Sequence, residues 1–597
     1  MAELLYPGNE AEKVFTLAAS GEVRLFGPEV AVVGTPEFQR LAGIKQLGTS
    51  HLVFRTAIHT RFEHSLGTLH MADHILHAAP TLLDGLEEEE RREARQLARL
   101  GGLLHDLPHL PFGHTLEDEF GLLPRHDEDP ARWKRLMYEG PLHEVLLDGL
   151  GQEMFAELVR VLTAKSEADI AALKYPFVAD VVGNTVCADL LDYIVRDLQA
   201  CGMAVALGDR FLSFFVITKR RLGVETDVDS RRMALRLEKR GMPRPDVESE
   251  VIQLLTYRYE LAERVYFHHA KNAASVMIGR AAQEMGVFGG PPPVTGEDAR
   301  ALPLLFLNDS TPLSDDMLLH ALANSVVAKA VGLPVTDSPA KRERAERLAR
   351  EVLNRDLYKL AYLGVHDDLQ HRVLAITDDY SKPTDRLALE DRLAAELGFE
   401  PGDVLVHIPR PKMMVKAAAV RVERSDGTIT TLEGWDRAHS KRVDALNDAH
   451  LRLWRVMVFV RPVAGDAEAT EKRRRLVGAA AADVFGAPSR YVPRGQPSTP
   501  PGWLESDVIA GISRLHAEVA REIAVERSLH AAEVEAAVSH ATAGVGTFNA
   551  GSLLDQVVAA WSTALPDGPA LAPPEAGNAL AQMELGELDD AGDGAQP

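Results

Sequence analysis

His64, His105, Asp106 and Asp189 constrain this chain more than any other feature, because they lie on three separate predicted helices and can act together only if those helices meet. The first closes the stretch Arg61-Phe62-Glu63-His64, the next two are adjacent, and the last lies in a helical pattern over 181–200. Two imidazoles and two carboxylates make a borderline-hard donor set that suits Mg²⁺, Mn²⁺, Fe²⁺ or Zn²⁺. Four protein donors around a six-coordinate divalent metal ion leave room for water and a substrate oxygen, a layout for hydrolysis and not for structure.

A His-Asp pair alone says little, since the chain also holds His126-Asp127 and His366-Asp367. The pair at 105 closes a helical pattern over 91–104 in which Leu97, Leu100, Leu103 and Leu104 recur at helical spacing. In the sequence that follows, Leu107-Pro108-His109-Leu110-Pro111-Phe112-Gly113-His114, the prolines break the helix and swing two more histidines round the pair. Histidine is the side chain whose ordinary pKa suits proton transfer near neutrality.

Several segments resemble the HD-domain deoxynucleoside triphosphate triphosphohydrolases: Gln39-Arg40-Leu41 with Ile44-Lys45-Gln46-Leu47-Gly48, Arg61-Phe62-Glu63-His64-Ser65-Leu66-Gly67, His105-Asp106 with His109 and His114, and Asp189-Leu190-Leu191-Asp192-Tyr193 with Arg196-Asp197. The run RYELAERVYFHH, from Arg258, is similar to the family's nucleotide-contacting helix. The similarity spans about residues 30–485 and weakens after 290. It implies a mainly α fold, an HD-domain helical core with a smaller α+β C-terminal lobe, and cleavage of dNTPs at the α-phosphate to deoxynucleoside and tripolyphosphate. It also implies a homo-oligomer, dimer or tetramer.

Residue roles follow from the same resemblance. His64, His105, Asp106 and Asp189 match metal ligands. His109 and His114 match catalytic histidines near the α-phosphate, His114 as proton donor to the leaving 5′-oxygen; Glu117 matches an acid that orients His114, and His126 a further catalytic histidine. Arg61 and Arg258 match triphosphate contacts, where a guanidinium fork suits phosphate oxygens. Gln46 and Leu47 match residues at the sugar, with Tyr193 and Tyr266 nearby. Asp189, Tyr193 and Asp197 are spaced i, i+4, i+8 and so share one face of a helix.

The chain also departs from the family. Leu190 and Phe267 replace a phosphate-contacting lysine and a glutamine of the human member, and Pro108 replaces a loop glycine. Gly34 and Ala42 stand where that member has an acidic residue and an arginine that read an activating guanine nucleotide, so GTP is not expected to be an obligate activator. Two competing functions share the motifs: another HD phosphohydrolase acting on nucleoside mono- or diphosphates, cyclic nucleotides or nucleic-acid ends, and a catalytically weak nucleotide-binding regulator.

Net charge is −23 over 597 residues, which argues against nonspecific nucleic-acid binding. Two cysteines, Cys187 and Cys201, give no disulfide framework and fit a reducing cytoplasm. The N-terminus lacks a signal-peptide pattern, and no apolar run reaches the ~20 residues a membrane span needs. Composition divides the chain into an N-terminal segment, 1–29; the core, 30–290; a helical continuation, 291–370, with helices read over 314–331 and 340–358; an α+β lobe, 371–485; a linker, 486–504; a helical extension, 505–564; and an acidic disordered tail, 565–597. Strand signals fall at 404–408, 419–423, 428–432 and 451–461, the middle two joined by a hairpin turn.

Overall fold

The helix that carries His64, Arg61–Ala78, begins where Glu63 turns its carboxylate back to accept the Thr60 backbone N–H at 2.6 Å and the Thr60 hydroxyl at 3.1 Å, satisfying a donor that a helix start leaves unpaired. The computed structural model describes residues 13–491 apart from 209, 219–230, 288–312, 410–419, 425 and 440. The extension over 505–564, the acidic tail and most of the linker therefore lie outside the described residues. The helix that ends before His105, Glu88–Leu104, opens with Glu88, Glu89 and Glu90 at the positive end of its dipole and buries Leu97, Leu100, Leu103 and Leu104.

Two glycines let these helices meet. A Cβ on Gly102 would sit 3.0 Å from the Thr68 carbonyl oxygen, so the first two helices touch backbone to backbone. On Gly67 it would lie 1.9 Å from Asp192 Oδ1 and 2.3 Å from Arg196 Nη2, on the third helix, Ala188–Ala200. Any side chain at either point would hold the helices apart.

The single helix expected over 181–200 is in fact two, Pro176–Gly183 and Ala188–Ala200, because Asn184 and Cys187 take extended backbone with ψ of −170° and 175°. The break places Asp189 in the first turn of the new helix, where unpaired N–H groups and the dipole favour a carboxylate. Helix Pro245–Leu261 runs into a π-helical turn, Ala262–Tyr266, followed by His269–Met285. A second π-helical turn, Thr115–Glu119, follows His114. Such turns are frequent at functional sites.

The described chain is mainly α with small sheets. Helices Asp315–Ala323, Ser325–Ala330 and Pro339–Leu353 lie where the sequence reads helical. Strands Arg421–Glu423 and Ile429–Thr431 pair antiparallel as the expected hairpin, but they extend a sheet built on Arg232–Arg236 and Phe215–Thr218. A second, three-stranded sheet has Arg455–Val460 between Lys359–Val365 and Val404–His407. The apolar run over 451–461 divides, since Leu451 ends the helix Arg442–Leu451 and the strand starts at Arg455. Trp454, Val456, Val458, Val404, Val406 and Phe485 form a core under this second sheet. No helix among the described residues is long and apolar enough to cross a membrane.

Candidate active site

The three helices bring His64, His105, Asp106 and Asp189 together. His64 Nε2 lies 3.1 Å from Asp189 Oδ1 and 3.6 Å from Asp106 Oδ2; His105 Nε2 lies 3.5 Å from Asp106 Oδ1 and 3.6 Å from Asp189 Oδ1. The imidazole tautomers follow from what the other ring nitrogen touches. His64 Nδ1 is 2.9 Å from Asp192 Oδ2, and His105 Nδ1 is 2.8 Å from the Gly102 carbonyl. Both partners only accept, so Nδ1 carries a proton in each ring and Nε2 faces the shared point. Both Nε2 atoms are buried without a hydrogen-bond partner.

Electrostatics favour positive charge at this point. Burial opposes charge on His64, but Asp189, Asp192 and Asp106 outweigh it and push its pKa up to about 10. Burial would raise the carboxyls of Asp106 and Asp189; Arg61, His105 and His109 hold the first well below the usual range, and His105 and His64 the second. Without a cation these carboxylates keep His64 protonated on Nε2 as well, and a divalent cation would displace that proton to sit between ionised carboxylates and the two Nε2 atoms. Asp192 is itself held by Arg196 at 2.7 and 2.9 Å. Cys187 is buried with its thiol pushed up to about 12 by burial, then by Asp189, and stands outside the ligand group.

The histidines after the pair form the adjoining wall. His109 is buried, its Nε2 3.3 Å from Asp106 Oδ1, and its ring lies 3.5 Å from that of His126 and 5.1 Å from that of His114, centroid to centroid. Gly113 makes room for it, since a Cβ there would be 2.9 Å from His109 Nδ1. Glu117, expected to orient His114, does not. Its Oε2 accepts the His126 backbone N–H and faces His126 Nδ1, each at 2.9 Å, while Oε1 accepts Arg132 Nη1 at 2.6 Å. His114 is oriented by Asp118, whose Oδ2 lies 2.8 Å from His114 Nδ1 and whose Oδ1 accepts Arg125 Nη1 at 2.6 Å. The π-helical turn is the reason: its extra residue per turn rotates Glu117 inward and leaves Asp118 beneath the half-exposed His114 ring.

Asp106, His109 and His126 also lie close enough to suggest a second ion, but cations already crowd them. Arg61 bonds Asp106, Arg40 Nη1 donates to the His109 carbonyl at 2.6 Å, and Arg132 stands behind Glu117. Burial, with Arg61 and His126, holds the His109 ring well below its ordinary pKa. This side of the site suits an anion.

The proposed substrate residues gather along the third helix. Asp197 Oδ2 accepts the Tyr266 hydroxyl at 3.5 Å, and burial together with the nearby carboxylates keeps the Tyr193 and Tyr266 phenols protonated, with Arg258 close to both. Gln46 is stitched beside them by its N–H to the His59 carbonyl at 3.0 Å, and its Oε1 is buried without a partner. Leu47 packs in the core, and Arg61 is buried against Asp106, inside the centre and not at its edge. The sequence reading missed His59, whose Nε2 is 2.8 Å from Asp197 Oδ1; its place just before the Arg61 motif was the one available signal.

Residues 61–180 match the model of the HD domain, and residues 335–490 that of the HD-associated region. The chain thus carries an HD domain followed by an HD-associated region. Among relatives of this HD-domain chain, a Dictyostelium discoideum protein named deoxynucleoside triphosphate triphosphohydrolase SAMHD1 homolog is 24% identical over 409 residues, covering 67% of this chain and 68% of that one. An uncharacterised Methanocaldococcus jannaschii protein is 24% identical over 454 residues, 75% and 79% of the two chains. Human deoxynucleoside triphosphate triphosphohydrolase SAMHD1 is 27% identical over 291 residues, 45% of this chain and 43% of its own length. A crystal structure of a hypothetical Aquifex aeolicus protein superposes with a TM-score of 0.50 at 20% identity, over 78% of this chain and 99% of that one, and so shares the fold.

Proposed function

We propose that this HD-domain phosphohydrolase cleaves deoxynucleoside triphosphates at the α-phosphorus, releasing the deoxynucleoside and tripolyphosphate. The observation that carries the reading is the joining, along one helix, of a metal donor, Asp189, with Tyr193 and Asp197, opposite a wall of histidines backed by arginines. The names of the D. discoideum and human relatives support the substrate class.

His64, His105, Asp106 and Asp189 would hold a divalent metal ion, which would supply Lewis-acid charge neutralisation there. The chain does the rest. Tyr193, Asp197, Tyr266, Arg258 and Gln46 bind the sugar and phosphate chain, and Arg61 and the neutral His109 face the α-phosphoryl oxygens, where charge builds as water attacks phosphorus. His114, its Nδ1–H held by Asp118, acts as the imidazolium and gives its Nε2 proton to the 5′-oxygen as the bond from that oxygen to phosphorus breaks, leaving the neutral ring.

His105→Ala and Asp106→Ala are expected to lose bound metal, measured by elemental analysis, and to lower tripolyphosphate release from dNTPs by at least ~100-fold. Unchanged turnover in either variant sinks the reading.

A further inference from the structure

The π-helical turn Thr115–Glu119 aims two of the histidines, yet a residue far outside the HD match grips it. Arg386 lies on the helix Pro383–Glu396, within the HD-associated region, and is 3% exposed. Its Nη1 donates to the Glu119 carbonyl at 2.8 Å across 267 positions of sequence. Its guanidinium also stands 4.8 Å from the Phe120 ring centroid. That ring also packs on Gly279, where a Cβ would be 2.8 Å from the ring atoms. Glu119 therefore has its carbonyl fixed by the lobe, and its carboxylate fixed by Lys271 of the helix His269–Met285. The two residues before it, Glu117 and Asp118, are the ones that hold His126 and His114.

We propose that Arg386 is a positioning residue for the reaction, through which the HD-associated region locks the turn that orients His114 and His126. Arginine suits this task because one planar group can donate to a backbone oxygen and stack on a ring at once. A turn with a π-type bulge has an alternative, regular winding one residue out of step. In that winding Glu117 and Asp118, three and four residues on, both adjoin His114, and the exclusive pairing with Asp118 is lost. The inference rests on the role given above to His114, but the bracing itself does not depend on which phosphoester is cleaved.

The test uses full-length protein with Arg386→Gln and Arg386→Lys. In Arg386→Gln, kcat for dNTP hydrolysis is expected to fall about 10- to 100-fold, the cost of misplaced catalytic groups, with KM changed less than about twofold and bound metal unchanged. Backbone amides of 115–120 are expected to exchange with deuterium faster, and added guanidinium to restore part of kcat. Arg386→Lys keeps a donor without the planar face and is expected to fall between; it decides the matter if the glutamine variant does not fold. An undisturbed kcat, a fall in KM or metal content that tracks kcat, or unaltered exchange at 115–120 overturns the proposal. If the unmodified protein hydrolyses no dNTP with any metal, the proposed function fails, and the exchange measurement still decides whether Arg386 braces the turn.

Discussion

Asp315 touches neither the metal donors nor the histidines, yet its carboxylate accepts the backbone N–H groups of Phe112 at 2.8 Å and Lys45 at 2.7 Å while fully buried. Phe112 holds a φ of +50°, a backbone state that L side chains rarely adopt. Asp315 thus pins a strained point just before His114 and the strand-like segment before Gln46. An amide has one acceptor oxygen where two N–H groups need one each, so Asp315→Asn is expected to destabilise by about 1–3 kcal/mol, read by urea unfolding, and to lower kcat. A second residue-scale prediction concerns Gly67, where a methyl group would push into Asp192 and Arg196. Gly67→Ala is expected to cost about 1–3 kcal/mol and to weaken metal affinity in a binding titration. The residues proposed as metal donors stood out because a His-Asp pair at a helix end, followed by two further histidines, is a chemically specific pattern. The exchange of Glu117 for Asp118 did not, because i+3 and i+4 neighbours both adjoin a residue in a regular helix, and only the widened turn selects between them.

Elements were legible where periodicity is long and illegible where it is short. The helices over 61–78 and 88–104 announce themselves by caps and by leucines at helical spacing. The strands Phe215–Thr218 and Lys359–Val365 did not, since four and seven residues with neighbouring buried positions fit a buried helix equally well. One strand carries a pH prediction. His407 ends Val404–His407 and is buried, with Glu119 of the π-helical turn, Lys271, Arg386 and Arg455 around it. Burial, then Lys271, Arg386 and Arg455 against the opposing Glu119, lower its pKa from 6.5 to about 4. The folded state thus binds this proton less readily than the unfolded chain does. Stability from the neutral ring is complete above about pH 6.5 and is lost as pH falls towards 4, by about 3 kcal/mol in all. His407→Gln is expected to flatten the urea midpoint between pH 6.5 and 4, and an unchanged slope would refute the assignment.

At the scale of the whole molecule, the two sites implied by the resemblance separate. The centre is assembled from described residues, whereas Gly34 and Ala42 are exposed and bring no charge to the surface where a guanine-nucleotide activator is read in the human member. Turnover of dNTP without GTP is therefore expected, measured as tripolyphosphate release with and without added GTP; activity seen only with GTP counts against it. The meeting of the three helices was readable because His64, His105-Asp106 and Asp189 put ligand-type side chains on separate segments, and the lobe's grip on the π-helical turn was not, since Arg386 and Glu119 are ordinary residues hundreds of positions apart. Asp189 falls nine residues past the end of the HD match at 180. A fragment cut at that boundary would keep the HD match and forfeit Asp189, one of the four donors proposed for a divalent ion, so a recognisable domain and the proposed working one are different lengths of chain.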